Sequence, residues 1–110
     1  MAQLDTFFKI AHDLFCIVDR NGYYKRVNPA LTKLLAYPEE ELMQHPFTYF
    51  IHPEDVAETK KEYDEVTQVK RNQILVNRFR SFDGRYHWIS WSTIVQDEGG
   101  GVLFYRPKHH

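Results

Sequence analysis

A chain of 110 residues is one domain rather than two, and at that length it can bury a single core. Its 14 basic residues against 15 acidic ones exclude the strong basic excess of a nucleic-acid-binding surface. No apolar run approaches the roughly 20 residues that span a bilayer, the charged start MAQLDTFFKIAHD is not a secretory signal, and one cysteine, Cys16, excludes an internal disulfide, so a cytoplasmic setting is expected.

In chain order, Leu4, Phe7, Phe8 and Ala11 fall at i, i+3, i+4 and i+7, the apolar face of a short helix within residues 1–13. Leu14-Phe15-Cys16-Ile17-Val18 is a continuous apolar run, too short for a typical helix, and reads as a strand covered on both faces. Asp19-Arg20-Asn21-Gly22 follows, with Asn-Gly to supply the positive φ of a tight hairpin, and Tyr23–Val27 is the returning strand. Asn28-Pro29 is a helix cap followed by a proline that sacrifices no hydrogen bond, and Leu31, Leu34 and Leu35 continue at helical spacing until Pro38 forces a stop near Tyr37. Pro38-Glu39-Glu40-Glu41 starts a second short helix with acids at its positive end. Phe47, Tyr49, Phe50 and Ile51 form a further apolar patch, and His52-Pro53-Glu54-Asp55 opens a longer helix to about Val69. The stripe of that helix is thin (Val56, Tyr63 and Val66, with Thr59 and Lys60 between), which suits a helix laid across a surface. Ile74–Ser81, Tyr86–Val95 and Val102–Tyr105 are strands, joined by an Asp83-Gly84 turn and a glycine-rich loop over residues 96–101, and Pro107 ends the last. Helices between two groups of strands give an α+β fold, one antiparallel sheet with helices on one face.

The run Leu14 to Gly22, Val27-Asn28-Pro29-Ala30, Glu40-Glu41-Leu42 with Pro46-Phe47, Ile51-His52-Pro53-Glu54-Asp55, Arg78-Phe79-Arg80, Asp83-Gly84 and Tyr86-His87-Trp88-Ile89 together resemble the PAS family of sensor domains over nearly the whole chain. The resemblance implies a five-stranded antiparallel sheet in the order 2-1-5-4-3 over residues 14–106, a flanking helix at 1–13 and a tail at 107–110, whose His109 and His110 are open to being remnants of a tag. It further implies a non-catalytic input module, cytoplasmic, often a homodimer, covalently attached to an output domain such as a bacterial histidine kinase or diguanylate cyclase. Within the family, Trp88 and the His52-Pro53-Glu54-Asp55 loop resemble the domains repeated in bacterial kinases and cyclases, and a two-component system is the setting this implies. Three positions depart from the family pattern. Ala36 and Gln44 stand where helix-ending glycines are common, and the Asp-(Ile/Val)-Thr ending of the last strand is replaced by Tyr105-Arg106-Pro107.

No chemistry is legible. Haem-binding members of the family carry a histidine on the long helix, and none lies between Asp55 and Val69; the flavin-adduct cysteine motif is absent, and Cys16 in an apolar strand reads as a small hydrophobe. His52 reads as a helix-start residue, and His87, between Tyr86 and Trp88, as solvent-facing. No two histidines have metal-ligand spacing, and no nucleophile–base set or phosphate loop is visible, so no cofactor, metal or catalytic residue is expected. A small-molecule pocket is expected from Thr59 and Tyr63 on the long helix, Asn77 and Arg78 on the third strand, and Trp88. Trp88 and Trp91 lie three apart on one strand and so face opposite sides. The alternative is a cavity filled by side chains, leaving a ligand-free interaction module, with Leu4, Phe7 and Phe8 as the expected dimer contact. Neither a nucleic-acid partner nor membrane insertion is expected.

Overall fold

The computed structural model describes residues 13–69, 72–96 and 101–106; the expected flanking helix with Leu4, Phe7 and Phe8, and the tail at 107–110, lie outside the described residues. The elements are β1 (Leu14–Val18), β2 (Tyr24–Val27), α1 (Pro29–Leu35), α2 (Glu39–Met43), a 3-10 helix (Phe47–Phe50), α3 (Pro53–Val69), β3 (Ile74–Arg80), β4 (Tyr86–Val95) and β5 (Val102–Arg106). The strands form one sheet in the order β2-β1-β5-β4-β3 with every neighbouring pair antiparallel, as expected.

Alternation decides which side chains meet the helices. Leu14, Cys16 and Val18 of β1, Leu75 and Phe79 of β3, Ile89 and Trp91 of β4, and Val102 and Phe104 of β5 share a core with Leu31, Leu35, Leu42, Phe50 and Val66 from the helical layer. The middle of that core is a chain of rings. Phe47 sits 5.2 Å from Tyr63, Tyr63 stacks at 6.1 Å on Phe104, Phe104 meets Trp91 edge-on at 6.0 Å, and Trp91 meets Phe79 edge-on at 5.7 Å, in the offset and edge arrangements that aromatic quadrupoles favour.

The β1–β2 turn closes differently from the expected Asn-Gly hairpin. Gly22 alone takes a positive φ, 84°. The Asp19 carboxylate completes the turn by accepting from the Asn21 and Tyr23 amides at 2.9 and 3.0 Å. Asn28, fully buried, does more than cap α1. Its Oδ1 accepts from the amides of Leu31 (3.2 Å) and Phe15 (3.1 Å), and its Nδ2 donates to the Asp13 carbonyl (2.7 Å), so one amide joins helix and strand. At the two glycine-poor helix exits the chain finds two solutions. Gln44 stays right-handed at φ −82°, whereas Ala36 accepts the left-handed conformation at φ 61° and donates its amide to the Thr32 carbonyl at 2.7 Å.

The start of α3 is fastened to the edge strand β3. Asp55 accepts from the Arg78 amide (2.9 Å), Nε (3.0 Å) and Nη2 (2.7 Å), while the His52 amide donates to the Arg78 carbonyl (2.8 Å). The backbone groups of Arg78 on the strand edge are thereby paired. His52 Nδ1 accepts from the Glu54 amide at 3.1 Å, the helix-start role expected of it.

Two outcomes follow. Ala36 is exposed and strained, so Ala36→Gly relieves a left-handed Cβ and raises stability by about 0.5–1 kcal/mol, read as a higher urea midpoint at unchanged slope. The hydrogen bonds from Arg78 hold the Asp55 carboxyl below its ordinary value. A lowered folded pKa contributes stability that is full above the unfolded value of about 3.9 and lost as pH falls through the folded value. Asp55→Asn therefore lowers the melting temperature at neutral pH, and the difference from wild type closes as the pH of the melts is taken down to about 2.

Candidate functional site

α3 is a mostly polar helix that buries only Thr59, Tyr63 and Val66, at spacings of four and three residues that place them on one face. Tyr63 is the pivot of that face. Its ring packs between Phe47 and Phe104, and its hydroxyl donates to the Asp19 carbonyl in the β1–β2 turn at 2.5 Å. Burial, and then the negative charge of Asp19, push its ionisation well above the ordinary tyrosine range, so it is a neutral donor.

The five side chains expected to line one pocket divide between the two faces of the sheet. Thr59 and Asn77 do pair, Asn77 Nδ2 donating to Thr59 Oγ1 at 3.4 Å, but both are buried among packed side chains. Arg78 follows Asn77 on the strand, so alternation turns it to the opposite face, where Asp55 engages its guanidinium. Trp88 is paired with Arg78 across β3–β4 and shares that outer face: it is 65% exposed, with the Arg78 guanidinium carbon 4.8 Å over its ring. Trp91 is the inward tryptophan. His87 also departs from expectation, since it has the inward parity of Ile89 and Trp91 and its Nε2 lies 3.0 Å from Ser81 Oγ. Among the described residues three buried polar atoms, Tyr24 Oη, Asn77 Oδ1 and Trp91 Nε1, have no hydrogen-bond partner.

The open space lies at the other end of Tyr63. A half-open groove of about 380 Å³ runs between the β1–β2 turn (Arg20, Asn21, Gly22 and Tyr23), the residues at the start of the 3-10 helix (Pro46, Phe47 and Thr48) and one face of α3 (Lys60, Tyr63 and Asp64). Its walls are joined by the backbone. The Phe47 amide donates to the Gly22 carbonyl at 2.7 Å, and Tyr23 forms a bridge with Pro46. A Cβ built on Gly22 would stand 3.7 Å from the Phe47 ring, so the turn closes against the groove floor. Phe47, Pro46 and Tyr23 make the surface apolar, Arg20 and Lys60 outnumber Asp64 at the rim, and Tyr63 carries one wall into the core. Of the expected pocket residues only Tyr63 lines this groove. Its other members carried a sequence signal in the i, i+3, i+4 spacing of Lys60, Tyr63 and Asp64, but nothing local announced that this face would look at the turn.

Two side-chain groups among the described residues could suggest chemistry, and each has a structural role. Ser81, Asp83 and His87 cluster, but Ser81 is buried, and with its hydroxyl donating to the Asp83 carboxylate at 2.5 Å and His87 Nε2 beside it the three fasten the β3–β4 turn. Burial pushes the Cys16 thiol far above its ordinary value, leaving no thiolate. Among the described residues no group of three or more His, Cys, Asp or Glu side chains could hold a metal ion. No helix among them is long and apolar enough to cross a membrane.

Comparisons with known proteins agree with this geometry. A family model described as the PAS fold matches residues 24–106. Over 78 residues the chain is 32% identical to the White collar 2 protein of Neurospora crassa; the match covers 71% of this chain but only 14% of that protein's length. A domain of a sensory box sensor histidine kinase/response regulator from Geobacter sulfurreducens superimposes with a TM-score of 0.85 at 17% identity, covering 97% of this chain and 92% of that one. The N-terminal domain of a diguanylate cyclase with PAS/PAC sensor from Marinobacter aquaeolei superimposes with a TM-score of 0.72 at 17% identity, covering 84% of this chain and 91% of that one. The relatives are fungal as well as bacterial, so the expectation of a bacterial parent is left to the resemblance alone.

Proposed function

The chain belongs to the PAS fold family, a non-catalytic sensory domain of signalling proteins, and from that premise we propose that it is the input module of a larger protein, reading a small molecule in the groove beside Tyr63. The output domain in this reading is a histidine kinase or a diguanylate cyclase, the companions named for two structurally similar domains. The observation that carries the reading is the double attachment of Tyr63, which walls the groove, bonds the Asp19 carbonyl and stacks on Phe104 of β5. An occupant that favours one setting of Tyr63 over another shifts the population of the sheet's central strand, which runs on to Arg106. The groove suits a compact ligand with a flat apolar body against Phe47 and Pro46 and an acidic group toward Arg20 and Lys60.

The test is amide NMR of the isotopically labelled protein against a panel of small ring carboxylates. A binder moves the amides of residues 20–23, 47, 48 and 60–64, with smaller movements at Phe104. Lys60→Glu weakens binding by about tenfold or more. Tyr63→Phe keeps the ring, costs about 0.5–1.5 kcal/mol of stability and silences the response at Phe104. Shifts centred on Asn77 and Trp91, with the groove amides still, would overturn the reading.

A second reading, a ligand-free dimerisation module, is favoured by a different observation. The outer face of β3 and β4 exposes Ile74 (61%), Val76 (54%), Trp88 (65%) and Ile94 (44%), more apolar surface than an isolated sheet face usually leaves in water. Light scattering separates the two: under this reading the protein is a dimer that Trp88→Ser, Val76→Ser or deletion of residues 1–12 converts to a monomer, and a monomer at high concentration rejects it.

A further inference from the structure

Five side chains outside the groove lining build a surface that the sensory reading leaves unused. Phe82, in the β3–β4 turn, is 71% exposed, and Tyr49 of the 3-10 helix is 52% exposed. Neither is loosely held. The Phe82 amide donates to the Leu35 carbonyl at 2.7 Å, closing the end of α1, and the Phe82 ring meets Tyr37 edge-on at 5.7 Å. Tyr37 in turn packs edge-on against the fully buried Phe50 at 5.0 Å, as does Tyr49 at 5.1 Å. His45 lies flat on the outer side of Tyr49, with ring centres 4.0 Å apart and planes 9° from parallel. The left-handed turn at Ala36 is the step that delivers Tyr37 to this cluster immediately after α1.

Beside the Tyr49 ring stands Arg80. Its guanidinium carbon is 5.8 Å from the centre of the Tyr49 ring, and Tyr37 first, then Tyr86 and Tyr49, strengthen its hold on its proton. Among the described residues it makes no ion pair, in contrast to Arg78 with Asp55 and Glu54, and Arg85 with Asp83. A half-buried cation ringed by aromatic side chains, with no carboxylate of its own, is a recognition element with one half missing. Tyrosine and arginine at the centre of a rigid aromatic patch are also the residues that dominate binding energy at protein interfaces.

We propose that this patch is a docking surface for an acidic protein segment, in which a carboxylate pairs with Arg80 and an adjacent aliphatic or aromatic side chain packs between Phe82 and Tyr49. The occupant is set by complementarity. One arginine in a chain of net charge −1 is a weak anchor for a nucleic-acid backbone but a sufficient one for a single carboxylate. The exposed rings supply the apolar area that a bare anion would not use.

The experiment is selection of a random peptide phage library on the immobilised protein, with counter-selection on the Phe82→Ala/Arg80→Gln double variant, followed by fluorescence titration of the enriched peptides. The expected result is a consensus with Asp or Glu within two or three positions of Leu, Phe or Trp. Affinity falls about tenfold or more in each of Phe82→Ala, Arg80→Gln and Tyr49→Ser, and is unchanged in Lys60→Glu and Trp88→Ser. Phe82 is exposed and Arg80 partly so, and circular dichroism with a thermal melt verifies the fold of the double variant; if Arg80→Gln unfolds it, Arg80→Lys, which keeps the charge and loses the planar fork, takes its place with a smaller expected loss. No enrichment over the double variant, a basic consensus, or peptides sensitive only to Lys60→Glu or Trp88→Ser would overturn the proposal. So would self-association abolished by Phe82→Ala, which would make a second copy of the chain the occupant.

Discussion

A polar helix is laid over an aromatic sheet, and polar contacts rather than burial decide where it rests. α3 buries three side chains, of which Val66 is the one purely aliphatic member, worth about 1.5–3 kcal/mol when fully buried. Its position is set by Asp55 on Arg78 at the start, Thr59 on Asn77 and Tyr63 on the Asp19 carbonyl in the middle, and the Glu62 carbonyl accepting from Gln73 Nε2 toward the end. Each such bond contributes about 0.5–1.5 kcal/mol net, more where charged, so the attachment is a series of modest ties with defined geometry. A helix held in that manner has fewer ways to slide than one held by a greasy stripe, but each tie can be exchanged for another at small cost.

The sheet beneath it is the opposite kind of object. The rings of Phe47, Tyr63, Phe104, Trp91 and Phe79 interlock from the groove to the far edge, and close-packed rings transmit displacement instead of absorbing it. These rings pack through the interior where Thr59 and Asn77 pair, Trp88 faces outward, and a groove opens beside the β1–β2 turn. Tyr63 belongs to both objects, which makes it the natural relay between groove and β5 in the function proposed.

Three surfaces then divide the molecule. The groove offers a small polar-rimmed site, the outer face of β3 and β4 an apolar field around Trp88, and the patch around Arg80 an aromatic surface with an unmatched cation. The groove and the Arg80 patch share the 3-10 helix, through Phe47 and Thr48 in the one and Tyr49 in the other, and the patch shares β3 with the outer face through Arg80.

Periodicity and punctuation in the sequence were enough for the elements and their order. Asn28-Pro29, Pro38-Glu39 and His52-Pro53 open helices because a cap and a proline act within one turn, and the apolar run at Leu14–Val18 could only be a strand covered on both sides. The same local logic separated Trp88 from Trp91, since alternation puts them on opposite faces, yet it could not say which face the helices would cover. The register of β3 against β4 decided that, sending Trp88 and Arg78 outward together and Trp91 and Asn77 inward. Likewise Asn28 read as a cap, but its hold on Phe15 and Asp13 joins residues 13 and 15 positions apart in the chain. The groove, the reach of Tyr63 to Asp19 across 44 positions, and the lack of an ion-pair partner for Arg80 among the described residues are consequences of which surfaces come face to face. Short-range sterics and hydrogen bonding act between neighbours in sequence and are written there; long-range packing is a choice among pairings of finished elements, and it exists only once the chain has folded.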